Sequence, residues 1–592
     1  MYKIFSFPNT IKLFIYIFCF FLSFTDVSYG EEPSKKPILS LEAQMHTEPI
    51  LRIATDSANS FFVSSSQDKT LRIWQLPSGR LRKIMRVPID HGLEGELNAV
   101  TVSPDGVLIA ASGNTCKTWE PSKGYCIYIF DTASGNILLR IKSLPAEVKH
   151  MAISPSGKYL AAVMKGTGGL SVFQIYDGRL LRSDKDYGND AIWVDFNQNG
   201  GLVTSSLDGY IRLYDNRFRP IKRKKLAENY QPYSAVFSPD NEKIAVGFSN
   251  RPVVSVFSAH DLKILYFPDD TAGVGDFRTV AWSKDGKSLF AAGNHKSSHN
   301  SLIRYWKNSG QANISGWGEF LDLPVYKSPI SQIIVLNSGD ILYSGLKPVL
   351  GGIDNNGFLH FRRSKPTASF EAWQNELLIS ADGSTVGFPY DKLGKSRGKF
   401  SVRDLRLLSR RAVAGKMYKP LTKSTSFLVT GWDKKIGQLK FNRRKLKLGD
   451  SEQVNSLAIA RHNRFFIIGT SDNIILYDDS GRKRWVTPVE TPIEGVNISL
   501  DNKVIVAAHK DGVIRWYRTA SGRHFLSLLP HRDKKRWVVW TPNKVYAASK
   551  DGDKLIGWHK NRGINKAASF VTAEKHSDSK LHPGFIKRLF NR

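Results

Sequence analysis

The feature that most constrains this chain is repetition. Residues 50–79 read ILRIATDSANSFFVSSSQDKTLRIWQLPSG: an apolar-alternating strand, a break, a second strand, an Asp turn, a third strand ending in Trp74, then Ser-Gly. The same order returns as LNAVTVSPDGVLIAASG with YIFDTASG, as VKHMAISPSGKYLAAV with FQIYDG, and as WVDFNQNGGLVTSSLDGYIRLYD. It persists through YSAVFSPDNEKIAVGFSN, FRTVAWSKDGKSLFAAG, ISQIIVLNSGDILYSG, LLISADGSTVGF, FLVTGWDKKIGQLKF, VNSLAIARHNRFFIIGTSDNIILYD and IEGVNISLDNKVIVAAHKDGVIRWY to WVVWTPNKVYAASKDGDKLIGWH. Twelve units recur at a period of roughly 40–50 residues, the spacing of stacked supersecondary repeats.

Turn chemistry sits where antiparallel hairpins need it. Ser-Pro-Asp-Gly at 103–106, Ser-Pro-Ser-Gly at 154–157 and Ser-Lys-Asp-Gly at 283–286 reverse the chain after the first strand of a unit. Asp-Gly at 208–209, 511–512 and 551–552 marks the second hairpin, where Gly takes a positive φ without strain. Four-stranded sheets at this period bury both faces against their neighbours in a ring. Twelve such blades exceed the roughly four to eight of one ring, so the expected fold is all-β, two tandem β-propellers. The expected division is 1–30 signal peptide, 31–362 first propeller, 370–560 second propeller and 561–592 a basic tail. Residues 38–44 (ILSLEAQ) read as a strand offered to a blade far away in sequence. The tail segment GFIKRLFNR reads as a frayed terminus, with a short docking segment as the alternative.

The N-terminus reads as an export signal. Lys3 and Lys12 precede the apolar run Leu13–Phe24, and Ser28-Tyr29-Gly30 offers a cut between Gly30 and Glu31. The run is shorter than the roughly 20 residues of a spanning helix, so cleavage is favoured, with an uncleaved membrane anchor as the alternative. The body is then periplasmic or extracellular. Export gives the cysteines meaning: Cys19 leaves with the signal, and Cys116 and Cys126 remain in an oxidising compartment as a structural disulfide closing a hairpin loop. A free or redox-active pair is the alternative reading.

The first unit resembles WD-repeat β-propellers, with His46 ahead of its first strand, Asp68 in the second hairpin and Trp74 closing the third strand. The resemblance implies that these residues and a strand hydroxyl, Ser64 or Ser66, form a buried network of structural role. Ser66 is assigned to it here. Later units depart from the pattern, lacking the His and carrying Phe130, Tyr214, Phe257 or Tyr477 in place of Trp. Over nearly the whole exported body the chain also resembles bacterial exported WD-repeat proteins often found with a caspase-like peptidase domain. LRIKSLPAEVKHMAISPSGKYLAA, DYGNDAIWVDF, LYDNRFRPI and WVVWTPNKVYAASKDGDKLIGWHKNRG carry that likeness. The stretch after His559 is too short for a peptidase, so such a protease is expected only as a separately encoded partner.

A caspase site pairs a His-Gly with a downstream Cys in a specific context; His91-Gly92 is followed only by Cys116 and Cys126, which lack it. His295 and His299 have no carboxylate or thiolate close by in sequence to complete a metal site. No G-x-S-x-G, phosphate loop or Rossmann glycine pattern is present. The expectation is a non-enzymatic protein without cofactor or metal.

Lys and Arg total 85 against 53 Asp and Glu, a net charge of +32, which favours anionic partners. The excess concentrates in 391–450, with eighteen basic residues against four acids, including Lys434, Lys435, Arg443, Arg444 and Lys445. Export argues against nucleic acid and leaves an anionic envelope surface, polysaccharide or acidic protein. The functional expectation is an exported scaffold or sensor that binds proteins at its loop faces. The alternative is a binder or hydrolase of envelope polysaccharide or another anionic polymer, working through a propeller channel.

Overall fold

The computed structural model describes residues 32–590 apart from 91, 120–123, 270–273, 298, 312–317, 372–375, 392–393, 409–414, 434–437, 451 and 578. The export signal, with Gly30 and Glu31, lies outside the described residues, as do His91, Lys434 and Lys435.

Strands with apolar residues on both faces must be covered on both sides, and the repeat supplies the covers. Phe61–Ser66 and Leu108–Asn114 are buried along nearly their whole length, whereas Pro220–Lys225, rich in lysine, is almost wholly exposed. Burial is thus greatest in the second strand of a unit, less in the first (Ile50–Thr55) and least in the fourth, as in a blade packed between two others with its fourth strand at the rim. Seven consecutive four-stranded antiparallel sheets cover 50–86, 96–144, 148–184, 191–225, 232–266, 279–326 and 330–364. These are blades one to seven of the first ring. It closes where blade one meets blade seven: Met45, Ile50, Ile53, Phe62 and Trp74 share a core with Leu336, Leu342, Leu350 and Phe361. Across that seam Ser331 Oγ donates to Ile50 O (2.6 Å), and Ile53 N donates to Gln332 Oε1 (3.0 Å).

Six of the seven innermost strands carry a bulge near their start, at Ile50/Arg52, Leu97/Ala99, Val148/His150, Ala191/Trp193, Pro232/Ser234 and Ile330/Gln332. A bulge puts two residues opposite one and re-aims their side chains. Repeated around a ring, it delivers one set of residues to the mouth of the axis and the next set to its throat.

The second half is a smaller circuit. Sheet 378–407 packs on the sheet that begins at 493, which packs on 454–488, which packs on 429–445. The circuit is completed at Tyr418, bridged antiparallel to Ile379, and at Leu421, whose carbonyl accepts Ile459 N (2.7 Å). Asn497 Nδ2 ties Leu377 O (2.7 Å) and Tyr418 O (3.0 Å) together at its centre.

The expectation of four strands in every blade is corrected here. Of the twelve sheets among the described residues, two have three strands and one has seven. Sheet 429–445 keeps only two-residue strands, in a stretch crowded with Lys and Arg. In the last unit the Asp-Gly turn differs from its counterparts. Gly209 and Gly512 take positive φ, but at 551–552 Asp551 does (58°), and Gly552 leads into the 3₁₀ turn Asp553–Leu555. That turn separates Val545–Ala548 from Ile556–Lys560. The former extends the sheet of 493–530, while the latter pairs with Ile38–Leu41 and Ser569–Thr572.

Residues 561–590 are not a free basic tail, nor is 584–590 frayed. Ser569–Thr572 is a strand, and helix Pro583–Arg588 sets Ile586 and Phe590 into the core with Phe525 and Trp537. The alternating apolar residues of GFIKRLF supply the buried side of that helix.

Candidate functional site

Four groups singled out in the sequence can be placed on this frame. In blade one, His46 Nδ1 lies 2.8 Å from Asp68 Oδ2, and His46 Nε2 lies 2.7 Å from Ser64 Oγ. Trp74 Nε1 donates to the same hydroxyl at 2.8 Å. The hydroxyl of the network is thus Ser64, directly across the hairpin from Arg72, and not Ser66. Ser66, one pleat further along, donates to Glu48 O (2.9 Å) and accepts Asp68 N (3.1 Å), closing the turn. Thr70 Oγ1, missed in the sequence, donates to Asp68 Oδ1 (2.6 Å). Burial pulls the His46 pKa below its usual value, against the opposing pull of Asp68. Burial opposes the Asp68 carboxylate, but His46, Arg72 and Thr70 outweigh it and hold its pKa well below the carboxylate range. Every polar atom faces inward, so the network braces the blade and offers nothing to a ligand.

Cys116 and Cys126 form a disulfide with their Cα atoms 5.6 Å apart, at the mouth end of blade two. Both are buried, and Glu94 anchors the loop by accepting Cys116 N (2.6 Å) and Thr118 N (3.0 Å).

The throat of the first ring is occupied by side chains from opposite blades. Arg52 of blade one lies with its guanidinium carbon 5.1 Å from the Trp193 ring centroid of blade four and 5.6 Å from that of Tyr233 in blade five. Its Nη2 reaches Ile192 O at 3.5 Å. Blades four and five stand opposite blade one in a seven-membered ring, so Arg52 crosses the axis. His150 of blade three stacks on Trp193 at 3.9 Å, and burial together with Arg52 keeps it neutral with a pKa well below 6.5. One residue earlier in each strand, Lys149, Tyr233 and Arg278 are partly exposed and form the mouth. Lys149 Nζ is paired with Glu147 (2.9 Å) and Arg278 Nη2 with Asp276 (2.7 Å). The sequence could not point to Arg52, because only ring closure brings residues 52, 193 and 233 together.

The second half holds a cationic cleft of about 440 Å³ lined by Arg444, Lys445, Leu446, Lys447, Leu448, Gly449, Tyr477, Gly481 and Lys483. Arg444 and Lys445 of the expected patch line it, Arg443 is exposed next to them in sequence but does not line it, and Lys483 adds a cation from the neighbouring sheet. His295 packs its ring edge-on to Phe277, and no cluster of three metal-ligating side chains occurs among the described residues. Nor is any described helix long and apolar enough to cross a membrane.

Comparison with known proteins agrees with this architecture. Residues 35–75 and 182–215 match the family model of the WD domain, G-beta repeat. Each matched stretch begins on the outer strand of one sheet, 38–41 or 180–184, and runs through three strands of the next. Among curated proteins, the chain is similar to the small ribosomal subunit protein RACK1 of Drosophila melanogaster, 30% identical over 96 residues, which are 16% of this chain and 29% of that protein. It is also similar to RACK1 of Neurospora crassa, 36% identical over 88 residues, 14% of this chain and 26% of that protein. The chain therefore spans under a third of the length of these relatives.

Proposed function

We infer that this WD-repeat β-propeller protein is an exported, non-enzymatic scaffold or sensor, and that its first ring presents loops to a protein partner. The observation that carries the reading is the inequality of the two ring faces. One face carries the tight Ser-x-x-Gly reversals, such as Gly106 N to Ser103 O (2.8 Å) and Gly157 N to Ser154 O (2.8 Å). The other carries the mouth of the axis, the disulfide loop and longer connections, including the segment that exposes Val274 to 94%. Loops positioned by a rigid ring are where such proteins place recognition. WD repeats generally mediate protein–protein contacts, and the disulfide is in keeping with an oxidising compartment. A separately encoded caspase-like protease is one candidate partner.

A second reading, an anionic envelope polymer held by the protein, is favoured by the Arg444–Lys483 cleft. A polymer threading the first ring is disfavoured, because Arg52 crosses its axis. The test of the main reading is gentle recovery of tagged full-length protein from native extract. A protein partner in near-stoichiometric amount is expected; glycan or lipid alone would overturn the reading.

A further inference from the structure

Five arginines of the described structure are almost fully buried: Arg52, Arg72, Arg86, Arg212 and Arg304. Four of them hold a carboxylate. Arg72 and Arg86 share Glu42 (2.9 and 2.6 Å), Arg212 holds Asp208 (2.7 Å), and Arg304 holds Asp322 (2.7 Å). That is how buried guanidinium charge is ordinarily tolerated, because an unpaired buried charge loses its hydration without return. Arg52, 3% exposed, has no carboxylate within ion-pair distance among the described residues. Its Nη atoms meet the carbonyls of Leu51 (3.1 Å) and Ile192 (3.5 Å), its guanidinium also hydrogen-bonds the Tyr233 phenol, and its Nε, like that of Arg72, Arg86 and Arg212, has no hydrogen-bond partner; what sets Arg52 apart is the missing carboxylate.

A second donor from the opposite side of the ring is in the same condition. Trp193 Nε1, on a side chain 5% exposed, also has no partner, and its ring is the one beside the Arg52 guanidinium. Buried donors in folded proteins are nearly always satisfied, so two neighbouring orphans that both donate call for one acceptor. The mouth leading to them does not supply it. Glu147 is committed to Lys149 and to Asn98 Nδ2 (2.6 Å), and Asp276 to Arg278. With those pairs neutral, Arg52 is left as the uncompensated guanidinium of the throat; Asp195, two residues beyond Trp193, accepts Phe237 N (2.9 Å), and burial raises its pKa to about 7. Against burial, the charge of Arg52 and a hydrogen bond from it, with the charges of Arg278 and Lys149, pull the Tyr233 phenol below its usual pKa.

We propose that the throat of the first ring is a carboxylate-binding site, in which one carboxylate enters between Lys149 and Arg278 and accepts hydrogen bonds from Arg52 and Trp193. Charge selects the class. A single carboxylate balances the uncompensated guanidinium, whereas a phosphate dianion would leave a buried negative charge between Trp193 and Tyr233. Both orphan donors suit a charged oxygen acceptor, and hydrogen bonds to an ionised group are about twice as strong as neutral ones. The carboxylate belongs either to a free small anion or to an acidic side chain of a bound peptide; the chemistry of the throat is the same for both.

The test uses the full chain with its disulfide intact and measures binding by calorimetry and by thermal shift. The probes are acetate, a neutral-flanked peptide with one Glu, its Gln counterpart and inorganic phosphate. Acetate or the Glu peptide is expected to bind, and the Gln peptide is not. Affinity should fall at least about tenfold in Arg52→Gln and about threefold in Trp193→Phe, which keeps an aromatic ring but removes the donor. Equal affinity for acetate and peptide assigns a free anion, and tighter binding of the peptide assigns a partner's side chain. If Arg52→Gln fails to fold, Trp193→Phe alone decides. Absence of carboxylate binding, stronger binding of phosphate, or unchanged affinity in folded variants would overturn the proposal. Such a failure leaves the loop-face reading standing, since that reading is decided by recovery of a partner.

Discussion

Ile38 stands opposite His559 in an antiparallel ladder that runs on to Leu41 opposite Ile556. The first strand of the described chain is thus an edge strand of a sheet built from its last residues. Both ends of this clasp are fastened to the first ring. Asn561 exchanges hydrogen bonds with the Ile89 backbone (3.0 and 2.8 Å), and Glu42 takes Arg72 and Arg86 of blade one.

Glu42 is therefore a joint between the rings. Glu42→Gln removes the charge that two buried guanidiniums share, and breaking a buried pair by neutralising one partner costs about 3–5 kcal/mol. Urea denaturation should show a loss of that order and earlier proteolysis of the N-terminal strand. A change under about 1 kcal/mol would mean that the two arginines are satisfied elsewhere.

The disulfide acts on blade two alone. Cys116 and Cys126 are ten residues apart in sequence, and closing so short a loop stabilises by about 2–3 kcal/mol on chain-entropy grounds. Guanidinium denaturation with and without reductant, and of a double Cys→Ser variant, should differ by that amount. Identical midpoints would contradict it.

Buried neutral histidines set the acid limb of stability. Burial lowers His509 and His559 to about 3 and His524 to about 4, and lowers His150 well below 6.5. Below pH 6.5 the unfolded chain takes up protons at these rings while the folded chain does not, so unfolding is favoured as pH falls. Their contribution is whole above about pH 6.5 and is lost progressively toward pH 3, at about 1.4 kcal/mol per pH unit for each ring. Melting temperature measured from pH 8 to pH 4 should fall throughout the lower half of that range. A flat profile between pH 6.5 and 4 would show that these rings are not held neutral.

Ile586, with no exposed surface, packs in the core of the second half, whereas a frayed terminus would leave it free. Ile586→Ala should cost about 2–4 kcal/mol. A neutral substitution would restore the reading of 584–590 as a loose end.

What the sequence shows and hides divides along a physical line. Turn residues such as Asp105-Gly106 and Asp208-Gly209 act locally, so the units and their order are legible from one strand to the next. The strand at 38–41 is legible as one lacking a local partner, and the ladder with 556–560 supplies that partner. The choice of Ser64 over Ser66 depends on which pleat faces His46, and both serines share the alternation that sequence reveals. Asp551-Gly552 looks like the other Asp-Gly turns, yet it puts the positive φ on Asp551 and ends a ladder. Arg52 is the extreme case, since its neighbours 193 and 233 come from blades that only ring closure sets across the axis.

The mouth face of the first ring is the surface proposed to meet a protein. Crosslinking of the full-length protein in intact cells, followed by mass spectrometry of the linked lysines, tests it most directly. Lys149, Lys165, Lys185 and Lys296 lie on the mouth face, whereas Lys158, Lys284 and Lys287 lie on the face of tight turns. One enriched protein linked through the first group is expected, with those links lost when the loops around Val274 are replaced. Links confined to the second group, or no protein linked at all, would contradict it.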